Sequence, residues 1–414
     1  MSRVSDLIKK LCPNGVEYLE LYKITKWNKR FNGVNKKWQT QLLFTNTNVS
    51  AQELKSLLAN DGNIKLLSTG NFDGYTTSNI YKGIIDDVEV ISIPSGGSAN
   101  IKYYNGKFIN SGNILGTTND KNMYCLKYIY YYLINNINTI QNYFRGSSVQ
   151  HPDMNQILQF KIPIPPIEVQ EEIVKILDKF VELKNELEIE LKIRKVQYDF
   201  CCINIFNNKE KLIPISDLLD KKGYIRGPFG SALVKSDMVK YGIPVYEQQH
   251  AICDHRNFRY FITSEKAKKL SRFSVKCGDL IISCSGTVGK VSIINNEDPM
   301  GIINQALLIL RLNNHIIMPK YMKYYLESPF GNRNITANTN KSAQINIASR
   351  ESIEKIKIPV PNIKKQAKIV EKLDKFYTMI NSVTEGIPAE IELRKKQYEY
   401  YRNKLLNFEE LKNE

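Results

Sequence analysis

No stretch of this sequence is apolar for long enough to cross a bilayer. Met1–Lys10 is polar and reads as an amphipathic helix, not a secretory leader, so the chain is expected to stay in the cytoplasm. Cysteine is sparse: Cys12, Cys125, Cys201, Cys202, Cys253, Cys277 and Cys284. An odd, scattered set reads as reduced thiols and excludes a disulfide framework. The paired Cys-x-x-Cys of a structural zinc site is missing, so His250, Cys253, His255, Cys277 and Cys284 are not expected to hold a metal. Gly286-Thr287-Val288-Gly289-Lys290 is not a phosphate loop, because Cys284 and Val291 stand where that motif needs glycine and Ser or Thr. Asp86-Asp87-x-Glu89 lacks a nearby lysine for metal-assisted hydrolysis and reads as an exposed turn.

What is present is length, positive charge and repetition. The 414 residues, 42% hydrophobic, allow two or three domains with cores of their own. Lys and Arg number 58 against 42 Asp and Glu, a net charge of +16. Such an excess favours a polyanionic partner. It spares Glu168–Asp199, where carboxylates outnumber Lys and Arg, as a neutral spacer between basic modules would.

Residues 161–180, KIPIPPIEVQEEIVKILDKF, return at 357–376 as KIPVPNIKKQAKIVEKLDKF, with roughly twelve of twenty positions identical. Glu190, Arg194, Lys195, Gln197 and Tyr198 then correspond to Glu390, Arg394, Lys395, Gln397 and Tyr398, after an offset four residues longer in the second copy. In each copy Pro-x-Pro ends what precedes it and a long helical pattern follows. Its apolar positions are Val169, Ile173, Ile176, Phe180, Leu183, Leu187 and Leu191, and then Ile369, Leu373, Phe376, Ile380, Val383, Ile387 and Ile391. Steps of four and three residues are coiled-coil spacing, so the two helices are expected to pair. Lys127–Leu133 resembles Lys320–Leu326, Ser147–Gln150 resembles Ser342–Gln344, and Ser95-Gly96-Gly97 pairs with Ser285-Gly286-Thr287.

The chain thus reads as module 1–160, helix 161–206, module 207–356 and helix 357–414. β-rich runs at Val88–Ile93, Asp279–Ser283 and Ala306–Leu312 alternate with turns at Asn71–Gly74, Tyr104–Gly106 and Asn295–Pro299. Helices are expected near Met123–Asn136 and Pro319–Ser328, so the fold class is α+β.

These features resemble the specificity subunit of type I restriction–modification enzymes over essentially the whole chain. The resemblance is carried by the two Lys-Ile-Pro-x-Pro segments with their Gln-x-x-Ile-Val-x-x-Leu-Asp-Lys-Phe, by Pro388–Leu406 and by Cys12–Tyr18. One departure is that the first copy ends Phe200–Phe206 without the Arg-x-Lys-Leu-Leu of the second. The resemblance implies two α/β target-recognition domains held apart by an antiparallel coiled coil, in a pseudo-two-fold repeat, each reading half of a split site on double-stranded DNA. It implies two modification subunits as partners and optionally two restriction motor subunits, with no membrane. It implies no cofactor for this chain: S-adenosylmethionine, ATP and Mg belong to the partners.

Under that reading Ile167–Tyr198 spans roughly 48 Å, enough to set two readers about one DNA turn, ~34 Å, apart. Base readers are expected among polar loop side chains, with phosphate contacts from nearby Lys, Arg, Ser and Thr. In the first module the candidates are Lys29, Arg30, Lys36, Lys37, Gln39, Ser68, Thr69, Asn71, Ser98, Asn100, Arg145 and Gln150. In the second they are Arg226, Ser231, Lys235, Gln248, Gln249, His250, Arg256, Ser285, Thr287, Lys290, Lys341 and Gln344. Two other functions fit the sequence less well. A pure coiled-coil scaffold leaves the basic modules unexplained. A stand-alone DNA methyltransferase needs Asn/Asp-Pro-Pro-aromatic, whereas the one Pro-Pro, Pro165-Pro166, lies between Ile164 and Ile167.

Overall fold

The computed structural model describes residues 2–39, 48–207, 210–336, 347 and 349–411. They fall into two compact units, one of residues 1–186 with 392–414 and one of residues 187–391.

Unit 1 holds an antiparallel sheet in the order Thr25–Trp27, Asn113–Thr118, Val90–Pro94, Lys102–Tyr104. A second sheet runs Tyr75–Thr76, Ile64–Leu67, Lys107–Asn110, Asp86–Asp87, with a parallel central pair. Unit 2 repeats the plan. Its main sheet is ordered Leu219–Arg226, Leu307–Leu312, Leu280–Ser283, Val291–Ile293. Its smaller sheet, Phe261–Ile262, Ile243–Tyr246, Ile302–Ile303, again has one parallel pair. Val90–Pro94 and Leu280–Ser283 are buried at every position, so both faces of these strands are covered, and apart from the buried Ser92 and Ser283 they are apolar. Asp86–Asp87 is a strand in which Asp86 is buried and Asp87 exposed, not the exposed turn expected there.

The repeated Lys-Ile-Pro is the strand that closes each module. Lys161–Ile164 pairs antiparallel with Glu17–Glu20, and Lys357–Pro359 with Leu212–Pro214. The other shared residues fasten this closure identically in each unit. Gln170, wholly buried, accepts from Cys125 N through Oε1 (2.9 Å) and donates from Nε2 to Met123 O (3.0 Å) and Pro165 O (2.7 Å). Gln366 does the same with Met318 N (2.8 Å), Ile316 O (2.9 Å) and Pro361 O (2.8 Å). Tyr128 OH donates to Pro163 O at 3.0 Å and Tyr321 OH to Pro359 O at 2.7 Å. Asp178 receives Lys127 Nζ (2.6 Å) and Tyr131 OH (2.5 Å); Asp374 receives Lys320 Nζ (2.9 Å) and Tyr324 OH (2.5 Å). Burial first, and then the carboxylate partner, pushes both tyrosine hydroxyls well above their ordinary range. The Lys-Tyr repeats lie on helices Leu126–Asn135 and Pro319–Glu327, close to the expected spans.

Helix Ile167–Phe206 is 40 residues long. In unit 1 its Phe180 stacks on Tyr401 at 5.4 Å, while Val169, Ile173 and Leu177 share a core with Leu405 and Leu406. In unit 2 Tyr198 meets Phe376 at 6.4 Å, and Cys202 and Phe206 share a core with Val370 and Leu373. Both packings are antiparallel: the four–three spacing predicts the pairing, and the antiparallel sense is the one the family resemblance implies. Leu177 is wholly buried and Ile176 only half, a one-residue shift from the expected stripe.

The second long helix is not continuous. It runs Ile363–Asn381, breaks, and resumes at Ile387–Leu406. The extra residues of the second copy form the break. Ser382 caps it by accepting from Thr384 N and Glu385 N, and Pro388 follows at the new start. A Cβ on Gly386 would lie 2.5 Å from Thr378 O, so the turn needs glycine. Val383, expected in the seam, is 80% exposed there.

Candidate nucleic-acid interface

In unit 1 several of the expected residues gather on loops at one end of the strands of the main sheet. Ser95 N donates to Gly112 O (2.9 Å), Gly97 N to Gln150 O (2.8 Å), and His151 Nδ1 lies 2.7 Å from Ser95 O. Lys29 and Arg30 are exposed beside them and line an open cleft of about 590 Å³ with His151 and Asp153. Ser98, Asn71 and Gln150 are exposed, Thr69 half-buried. Gln150 Oε1 accepts from Gln141 Nε2 at 2.9 Å, and exposed Arg145 makes a loose ion pair with Asp153 at 3.5 Å. Lys36 and Lys37 are exposed on the short turn Lys36–Trp38, anchored where Trp38 stacks on Tyr22 at 4.8 Å.

Three of the expected readers in unit 1 are instead clamps. Gln39 donates to Phe31 O (3.2 Å) and Val34 O (2.9 Å) and accepts from Phe31 N, closing its own loop. Ser68 is buried and donates to Phe72 O at 2.8 Å. Asn100 Nδ2 reaches Thr69 O at 3.0 Å. Lys102, which was not anticipated, ties the same turn through Ser68 O (2.7 Å) and Gly70 O (2.6 Å). Its burial depresses the ammonium pKa.

In unit 2 two further expectations are corrected. His250 is wholly buried: one ring nitrogen accepts from Glu247 N (2.7 Å) and the other lies 3.0 Å from Asn257 O. Desolvation lowers its pKa, so it is a neutral core histidine. Arg256 is spent internally on Ser292 Oγ (3.0 Å), Ile293 O (2.9 Å) and Asp298 (2.9 Å). Gln248 is hydrogen-bonded to Ser285 O, and Gln249 to Glu247 at 3.3 Å. Ser231, Lys235, Thr287 and Lys290 are exposed, and Ser285 is half-buried. Lys341 and Gln344 lie outside the described residues. Gly286–Lys290 is a hairpin turn between Leu280–Ser283 and Val291–Ile293, not the strand-to-helix turn of a phosphate loop. The ladder sets Ser95 beside Gly112 and Cys284 beside Ala306, so the counterpart of Ser95 is Cys284, one residue before the Ser285 of the sequence match.

Arg226 is half-buried, with Nη1 enclosed and lacking a hydrogen-bond partner and its guanidinium 5.7 Å from the Phe229 ring. It lines a cleft of about 430 Å³ with Arg272 and Arg350, two residues the sequence reading missed. Cys284 is adjacent, its thiol pushed up to about 12 by burial. Among the described residues no group of three His, Cys, Asp or Glu is placed to hold a metal ion, and no helix is long and apolar enough to cross a membrane.

The pattern of the type I restriction modification DNA specificity domain matches residues 24–194 and again residues 199–393. The chain belongs to that family. It is 31% identical over 312 residues to the EcoR124I/EcoR124II specificity subunit of Escherichia coli, covering 70% of this chain and 73% of that one. A Haemophilus influenzae protein assigned to the type I restriction enzyme specificity subunits is 30% identical over 384 residues, 87% of this chain and 92% of that one. The fold is that of the type I system S subunit of M. genitalium, with a TM-score of 0.56 at 14% identity over 95% of this chain and 96% of that one.

Proposed function

We propose that this chain is the DNA-reading subunit of a type I restriction–modification complex and that it catalyses nothing itself. The observation that carries the reading is the duplicated module: one sheet order and one set of closing hydrogen bonds, built twice, each copy matching the specificity-domain pattern. Each copy, residues 1–160 and 207–356, reads one half of a split site on double-stranded DNA. The segments 161–206 and 357–414 space them. Exposed loop residues such as Asn71, Ser98, Gln150, Thr287 and Lys290 are the base and phosphate readers.

The partners are two modification subunits, joined optionally by two motor subunits, in the cytoplasm. S-adenosylmethionine, ATP and Mg act there and not on this chain. Docking is supported by Ile189, Ile193, Val196, Phe200 and Ile203, which repeat at four–three spacing on one helix and are each 41–68% exposed. Such a stripe is a second coiled-coil seam awaiting a helix. The test is to co-purify the full chain with the modification subunit encoded beside it and measure DNA retention against salt. A stable complex whose affinity falls steeply with salt is expected. A complex that assembles and ignores DNA would leave only a scaffold.

A further inference from the structure

The two units carry an open cleft at the same place in the fold, and the hydrogen-bond register fixes the correspondence. Asn28 N donates to Leu115 O in unit 1, and Ile225 pairs with Ile309 at the equivalent rung in unit 2. The next residue is Lys29 in one and Arg226 in the other. On the facing wall, Asp153 and Ser349 each lie eight residues before the closing lysines Lys161 and Lys357, and each caps a short helix with its side chain. Their neighbours match as well: His151 with Ile347, Met154 with Arg350. All four pairs line the clefts of about 590 and 430 Å³.

Of the five lysines and arginines lining the two clefts, four are unspent. Lys29, Arg30, Arg226 and Arg272 have no acidic partner among the described residues. The Asp153 carboxylate is already engaged by Asn155 N (3.1 Å), Gln156 Nε2 (3.0 Å) and Arg145 (3.5 Å). Arg350 is steadied by Glu354 at 2.8 Å with its guanidinium 5.1 Å from the Tyr224 ring. Two modules that read different bases need different readers, whereas contacts to the DNA backbone carry no sequence and can be shared. A basic position common to both copies belongs to the second kind.

We propose that each cleft seats a backbone phosphate of DNA, held by Lys29 and Arg30 in unit 1 and by Arg226, Arg272 and Arg350 in unit 2. The proposal rests on the DNA-reading function and names where the sequence-independent contacts lie. The test is fluorescence anisotropy of the full chain on short duplexes of several sequences across a salt series. The double variants are Lys29→Gln with Arg30→Gln, and Arg272→Gln with Arg350→Gln. Each is expected to lower the slope of log affinity against log salt by about 1 to 2 and to weaken every duplex alike. Arg350→Lys should keep the slope. Exposed Arg272→Gln alone, with an unchanged melting curve, guards against misfolding and should lower the slope by about 1. An unchanged slope, or a loss confined to one sequence, overturns the proposal. A wild-type chain that shows no DNA binding overturns the DNA-reading function instead.

Discussion

Gln170 and Gln366 show what a residue shared by both copies does. Each buried amide satisfies one backbone N–H and two carbonyls that meet where the module, the closing strand and the helix join. Gln170→Ala strands those groups, and an unfolding titration should show unit 1 destabilised by about 2–4 kcal/mol. Gln366→Ala should do the same to unit 2. His250 sets a pH dependence. Its folded pKa lies below its ordinary 6.5, so the unfolded chain takes up a proton that the folded unit refuses. Stability through this group is unaffected well above pH 6.5 and falls as pH drops through that value towards the folded pKa. Denaturation followed from pH 8 to 5 should show this fall in the wild type and less of it in a folded His250→Gln variant. These roles were only partly legible. The sequence repeat singled out the glutamines, but a loop Gln, Ser or Arg looks the same whether it faces solvent or clamps a turn. Arg256 and Ser292 are 36 positions apart, and Lys102 and Ser68 are 34, so composition alone does not pair them.

At the scale of elements the strands and helices were legible because their patterns are strong. Leu280–Ser283 and Leu307–Leu312 fall inside the expected β-rich runs, each trimmed by one residue, and Val90–Pro94 starts two residues later and ends one residue later than the expected Val88–Ile93. The helix break was not legible, because Ile380, Val383, Ile387 and Ile391 keep coiled-coil spacing across it. The four-residue offset was its trace. Gly386→Ala forces Cβ against the Thr378 carbonyl and should lower stability by about 1–3 kcal/mol in a melting experiment. The unbroken helix Ile167–Phe206 is the proposed spacer. One added turn after Leu187 lengthens it by about 6 Å, nearly two base-pair steps, and should widen the unread gap between half-sites. The same gap in that variant would remove the helix from the account.

For the whole molecule, the surplus of +16 and the duplication point to one partner, a long polyanion met twice. The family, the α+β class and the repeat were all legible, since a twenty-residue segment, repeated with about twelve positions identical, marks where each module closes. The clefts were not, because their walls come from segments more than a hundred residues apart, Lys29 with Asp153 and Arg226 with Arg350. The central claim is that one chain reads two half-sites. Its most direct test is to co-express the chain with its modification subunit and map adenine methylation across the host DNA. The account predicts methylation at a split site whose two halves flank a gap of fixed length. Methylation at a single unbroken site, or none although the complex assembles, would contradict it.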